Sequence, residues 1–318
     1  MTVVNFEHPF HFDPSYGYTL EQLLAVYPVA APADFAEFWQ RRYQNMLLLK
    51  SEFERTSVGK HAGYNVFDIW YRSTDGLTIG GWLLEPENRG VKQCLIVGHG
   101  YGGRDQPDYH FDIPETALLF PCFRGLSRSR CASVSDQPHL HVVHDIEDPE
   151  RYIIGGCVDD LWLGVSLMQE LYPEAASRIG YMGISFGGGV GALAIPWDNR
   201  IWRAHLNVPT FGCQALRLTL PTIGSGAAVT QYVEEHGHIP ITLSYYDAAT
   251  AATFGAQAIH IAAALFDPMV APPGQFGIYN AWAGPKQLFL LDAGHFEYPR
   301  QIEQDAQLIT QIQAFFTE

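Results

Sequence analysis

A serine with glycine two residues away on each side, Gly183-Ile184-Ser185-Phe186-Gly187, stands between a stretch that reads as a strand and a run of small residues that reads as a helix. That spacing suits a nucleophile. A sharp strand-to-helix turn exposes the hydroxyl, and the flanking positions must be small to keep the turn clear of neighbouring chain. A serine hydroxyl is barely nucleophilic at neutral pH, so it needs a base to take its proton and an acid to orient that base. Asp267, in Asp267-Pro268, and His295, in Asp292-Ala293-Gly294-His295, each come at the end of a short apolar run. Asp292 competes as the acid, but it lies in the same loop as His295, too near to face the imidazole from the opposite side.

The elements that must position these groups are legible as apolar runs. Cys94 to Gly98 is continuously apolar, as in a strand buried on both faces of a mostly parallel sheet. It ends in His99-Gly100-Tyr101-Gly102-Gly103, a glycine-rich turn of the kind that offers backbone N–H groups to a ligand at the C-terminal edge of such a sheet. The amides of Tyr101 and Phe186 are the candidate oxyanion hole. Thr116 to Cys122, Arg203 to Pro209, Ala258 to Phe266 and Gln287 to Leu291 read as further strands, and Tyr64 to Tyr71 with Leu77 to Leu84 as a hairpin around Ser73-Thr74-Asp75-Gly76. Helices are expected from Asp34, over Gly155 to Leu171, after Ser185, and from Arg300 to Phe316. Nucleophile, acid and base in the order Ser185, Asp267, His295, all on one sheet edge, match the α/β-hydrolase order. The expected fold is thus α/β: an α/β-hydrolase with a mostly parallel central sheet flanked by helices. Residues 1–33 form an N-terminal extension over a single domain of residues 34–318, and 211–246 is a lid insertion.

Composition narrows the function. The chain has 318 residues, 47% hydrophobic, and a formal charge of -15 with only 19 Lys and Arg, which excludes a nucleic-acid partner. No stretch is long and apolar enough to span a membrane, and the start has no leader pattern, so a cytoplasmic location is expected. The five cysteines are scattered, as reduced thiols would be. Asp136, His139, His141, His144 and Asp145 have no metal-ligand spacing and read as a solvated loop. Neither a metal nor a cofactor is called for.

With these residues in place, the chain from about Asp34 to Tyr298 resembles the acetyl xylan esterase and cephalosporin-C deacetylase family, carbohydrate esterase family 7. The likeness is carried by Phe35-Ala36-Glu37-Phe38-Trp39, Gly80-Gly81-Trp82-Leu83-Leu84-Glu85-Pro86, His99-Gly100-Tyr101, Thr242 to Asp247, Asp267 to Pro273, Tyr279-Asn280 and Gly284-Pro285-Lys286. The resemblance implies Ser185, Asp267 and His295 as a catalytic triad, with the Tyr101 and Phe186 amides as the oxyanion hole. It also implies a serine esterase that deacetylates sugars or similar small alcohols, and a homo-oligomer, often a hexamer. The chain departs from the family where Leu126 and Phe186 replace amide side chains, which removes hydrogen bonds near the elbow and is expected to make the pocket beside Ser185 more apolar. Alternatives are a peptidase or longer-chain esterase using the same triad, and an esterase-like module without turnover.

Overall fold

The computed structural model describes residues 6–318, so the first five residues of the extension expected over 1–33 lie outside it. Its strands are β1 (Phe53–His61), β2 (Tyr64–Arg72), β3 (Thr78–Pro86), β4 (Gln93–Gly98), β5 (Thr116–Pro121), β6 (Ile179–Ile184), β7 (Ile201–Asn207), β8 (Ala258–Ala264) and β9 (Lys286–Leu291). They form one sheet in the order β1-β2-β3-β5-β4-β6-β7-β8-β9. β1, β2 and β3 are antiparallel neighbours, β3 meets β5 antiparallel, and every pairing from β5 across to β9 is parallel. Every residue of β4 and β5 is buried, which is why residues 94–98 and 117–121 read as unbroken apolar runs. The hairpin falls as its turn chemistry predicts, with Asp75 and Gly76 both at positive φ. β1 was not anticipated from the sequence. It is an edge strand with almost every residue exposed, so burial imposes no alternation on it.

Alternate residues of the central strands feed two cores, one on each face. Cys94 and Ile96 belong with the helices Phe35–Leu47, Ile153–Leu171 and Phe186–Ala194. Leu95 and Val97 belong with Leu308, Ile312 and Phe316 of the C-terminal helix Gln301–Thr317. Trp39 and Trp162 meet edge to face at 6.2 Å in the first core. Burying an indole leaves its N–H to be satisfied, and each finds a carbonyl: Trp162 donates to Ala194 O at 3.0 Å and Trp39 to Tyr245 O at 2.9 Å.

The N-terminal segment crosses the C-terminal edge of the sheet. His8 packs on Phe266 and Phe10 on Phe296, the residues just before Asp267 and just after His295. Pro14 O accepts the N–H of Asp267 at 3.0 Å, and the Tyr16 hydroxyl donates to Pro221 O at 2.7 Å. The arm therefore ties together the loops that carry the candidate acid and base. With each aromatic pair contributing about 0.5–1.5 kcal/mol, a variant lacking residues 1–16 is expected to lose on the order of 2 kcal/mol or more. A lowered urea midpoint together with reduced ester turnover is the measurement that checks this.

Candidate active site

β6 ends at Ile184, and the next residue, Ser185, takes φ 54° and ψ -110° before the helix Phe186–Ala194 begins. For a residue with a Cβ this backbone costs about 1–3 kcal/mol and persists only where the surroundings impose it. Here they do. Ser185 N–H donates to Asn207 O at 2.8 Å, while Ser185 O accepts from Gly189 N at 2.9 Å and Thr210 N at 3.1 Å. Gly187 N–H bonds His99 O at 3.0 Å, drawing the elbow against the turn after β4. A Cβ on Gly187 would sit 2.7 Å from that same carbonyl oxygen, so only glycine allows the approach.

The three residues singled out from the sequence converge. His295 Nε2 lies 3.0 Å from Ser185 Oγ, and His295 Nδ1 lies 2.8 Å from Asp267 Oδ2. With the imidazole neutral, the serine hydroxyl donates to Nε2 and Nδ1–H donates to the carboxylate. Asp267 is fully buried. Its Oδ1 accepts the N–H groups of Met269 and Val270 at 2.8 and 2.9 Å, and Oδ2 also accepts Gln275 Nε2 at 3.1 Å. Burial opposes charging His295, but the Asp267 carboxylate and the hydrogen bond to it outweigh that and raise its pKa above the ordinary value. Asp292 turns away to Arg300 and Gln304, at 3.3 and 3.1 Å.

The amides of Tyr101 and Phe186 are the candidate oxyanion donors. Phe186 is the first residue of its helix, where the N–H has no intrahelical acceptor. A Cβ placed on Gly100, next to Tyr101, would lie 3.7 Å from Ser185 Cβ, so the turn runs directly beside Ser185. His99 fixes the start of the turn: its Nε2 accepts Phe123 N–H at 3.0 Å and its Nδ1–H donates to Gly100 O at 2.7 Å. Burial pushes the His99 pKa down to about 3, which keeps the ring in that neutral form.

Two expectations need correction. The Phe186 ring does not wall a pocket beside Ser185; it is fully buried, stacked on Tyr101 at 4.1 Å and edge-on to Phe123 and Phe211. A side chain at the first turn of this helix points back into the core rather than out past the hydroxyl. Nor is the histidine-rich loop solvated throughout. His141 is fully buried, its Nε2 3.0 Å from Arg124 O and its Nδ1 3.2 Å from the Tyr101 hydroxyl. Asp136 pairs instead with Arg130, and Asp145 with Arg151. Among the described residues, no group of three or more His, Cys, Asp or Glu side chains is placed to hold a metal ion. Gln275 was missed in the sequence, where nothing marks a glutamine eight residues past an aspartate as its partner. His99 carried a signal, since it opens the turn already picked out as an oxyanion loop.

The sheet order, the serine at a strand-to-helix elbow after β6, and the acid and base after β8 and β9 define an α/β-hydrolase. The acetyl xylan esterase family model matches residues 18–313, and the chain belongs to that family; it is a carboxylic ester hydrolase. The fold is similar to that of an acetyl xylan esterase from Paenibacillus sp. R4, with a TM-score of 0.82 and 23% identity over 92% of this chain and 99% of that one. Acetyl xylan esterase 1 from Thermoanaerobacterium sp. JW/SL YS485 superimposes with a TM-score of 0.80 at 18% identity, over 95% of this chain and 99% of that one. More distantly, an acylaminoacyl peptidase from Pyrococcus horikoshii aligns with a TM-score of 0.61 and 15% identity, over 86% of this chain and 43% of that one.

The charge balance at His295 sets a sign for pH dependence. With His295 as the candidate base, only its neutral imidazole could take the serine proton, so activity is expected to fall as pH drops through the raised His295 pKa. In Asp267→Asn the attraction is gone and burial remains. Its acid limb is therefore expected at lower pH than in the wild type, on a much reduced kcat. Profiles of kcat/KM against pH for the two proteins test this, and an unmoved acid limb would contradict the assignment.

Proposed function

We propose that the chain is a serine carboxylesterase that deacetylates small acetyl esters of sugars or related alcohols through an acyl-enzyme on Ser185. The observation that carries this reading is the hydrogen-bonded line Ser185 Oγ, His295, Asp267, beside the amides of Tyr101 and Phe186, in a member of the acetyl xylan esterase family. His295 removes the serine proton as Oγ attacks the ester carbonyl. The oxygen that becomes negative is met by the two N–H groups, which oppose the developing charge without having to reorganise. His295 then returns the proton to the departing alcohol, and the acetyl group stays on Ser185. In the second half water enters, gives its proton to His295 and attacks the acyl carbon, releasing acetate and restoring the serine. Asp267 stays ionised, holds the imidazole in one tautomer and stabilises it when charged.

The acetyl preference rests on family membership, and the relatives named as acetyl xylan esterases support it. Ser185→Ala is expected to reduce turnover of p-nitrophenyl acetate by a factor of about 10⁴ or more while circular dichroism is unchanged. In wild-type protein a fluorophosphonate should label Ser185 stoichiometrically. A series of p-nitrophenyl esters from acetate to octanoate, run beside aminoacyl amides, is expected to show kcat/KM highest for acetate. A maximum at longer chains or at amides would replace the deacetylase assignment and keep the triad.

A further inference from the structure

We propose that His141 is a positioning residue for the oxyanion site, acting through the hydroxyl and ring of Tyr101; the proposal rests on the reading of the Tyr101 and Phe186 amides as the donors to the substrate oxygen. Tyr101 and Gly102 are the central residues of a turn closed by Gly103 N–H donating to Gly100 O at 3.0 Å, with Gly103 at φ +69°. That bond and His99 fix the ends of the turn and leave the tilt of the Tyr101 peptide to other restraints, yet an oxyanion donor must be aimed to within a few tenths of an ångström. The anchor on the far side of Tyr101 is its own side chain. The hydroxyl reaches His141 Nδ1 at 3.2 Å, and the ring lies flat on Phe186 at 4.1 Å with 23° between the planes.

The direction of these bonds is fixed by what each partner can do. Arg124 O can only accept, so His141 Nε2 carries the hydrogen and its Nδ1 is left to accept from Tyr101 O–H. Burial pushes the His141 pKa down to about 4, which keeps that acceptor free of a proton at neutral pH. Arg124 is itself immobilised: its N–H donates to Asp160 Oδ2 at 3.0 Å, and its guanidinium bonds Asp160, Ser73, Thr74 and Asp75. A rigid carbonyl thus orients an imidazole, and the imidazole orients the tyrosine whose backbone N–H is the proposed oxyanion donor.

The ring of His141 stands edge-on to both aromatic rings, 5.5 Å from Tyr101 and 6.0 Å from Phe186. The two residues that supply the amides are therefore clamped against each other by their own side chains, with His141 closing the clamp. A histidine serving only to fill the core would not need the Tyr101 hydroxyl, because a phenylalanine at 101 would stack equally well. The hydroxyl's contribution to catalysis is what separates the two roles.

The test is a double-mutant cycle on p-nitrophenyl acetate with Tyr101→Phe, His141→Leu and the two combined. Each single change is expected to lower kcat about tenfold with KM within about twofold, because the interaction acts where charge develops rather than on the bound ester. The combined variant should be no slower than His141→Leu alone. His141→Asn, which can keep an acceptor near the Nδ1 position, should recover part of the loss. Unchanged kcat in Tyr101→Phe, or losses that simply multiply in the combined variant, would overturn the proposal. Should His141→Leu fail to fold, Tyr101→Phe with its intact stack decides the matter alone. Fluorophosphonate labelling of Ser185 in wild type separates the two levels: a labelled enzyme whose variants match wild type refutes the role of His141 only, whereas an unlabelled wild type refutes the esterase reading itself.

Discussion

A carboxylate sealed from water is stable as an anion only if its lone pairs are met, and Asp267 is the point on which this molecule turns. Four donors surround it: the N–H groups of Met269 and Val270, the amide of Gln275 and the ring of His295. Facing His295 Nδ1, the carboxylate raises the basicity of that ring and selects its tautomer. Three of the donors come from the segment just after β8, so the short loop from Asp267 into the helix Pro272–Ala281 folds around the charge. The fourth comes from the loop after β9, brought alongside because β8 and β9 are parallel neighbours ending on the same edge. A Cβ at Gly294 would approach Asp267 Oδ2 to 2.5 Å, which shows how tightly the two loops are pressed together.

The serine presents the opposite problem: its backbone is strained and its side chain must stay accessible. Here the sheet supplies the restraint. Parallel pairing of β4, β6 and β7 brings His99, Ser185 and Asn207 together at adjacent strand ends, and the bonds from Ser185 N to Asn207 O and from Gly187 N to His99 O hold the elbow. Buried aromatic side chains then back it from beneath, with Phe186 wedged among Tyr101, Phe123 and Phe211. Ser185 is thus followed directly by a packed aromatic layer.

How much of this could be read from residues alone depended on whether burial or geometry set the pattern. The strands β4, β5 and β8 announce themselves because burial dictates their composition, and the elbow announces itself because contact at Gly183 and Gly187 excludes side chains. β1 is silent because neither of its faces is buried. Phe186 is misread for a subtler reason: proximity to Ser185 along the chain suggests proximity in the pocket, but the turn into the helix points adjacent side chains to opposite sides. His141 is misread because a histidine among other histidines and aspartates looks wet, and only folding brings it under Tyr101. Gln275 leaves no trace, since a single hydrogen bond across a loop imposes no periodicity.

The N-terminal arm carries a consequence for when the enzyme becomes an enzyme. Its contacts with Phe266, Asp267 and Phe296 join the two ends of the chain, so closing them carries the entropy of a loop nearly as long as the protein. The central strands, nearer in sequence, can pair before that closure is made. The placement of the loops that carry Asp267 and His295 therefore depends on contacts with the far end of the chain as well as on the sheet. A chain with native secondary structure and a free arm would look folded by circular dichroism while its acid and base loops were still unfastened.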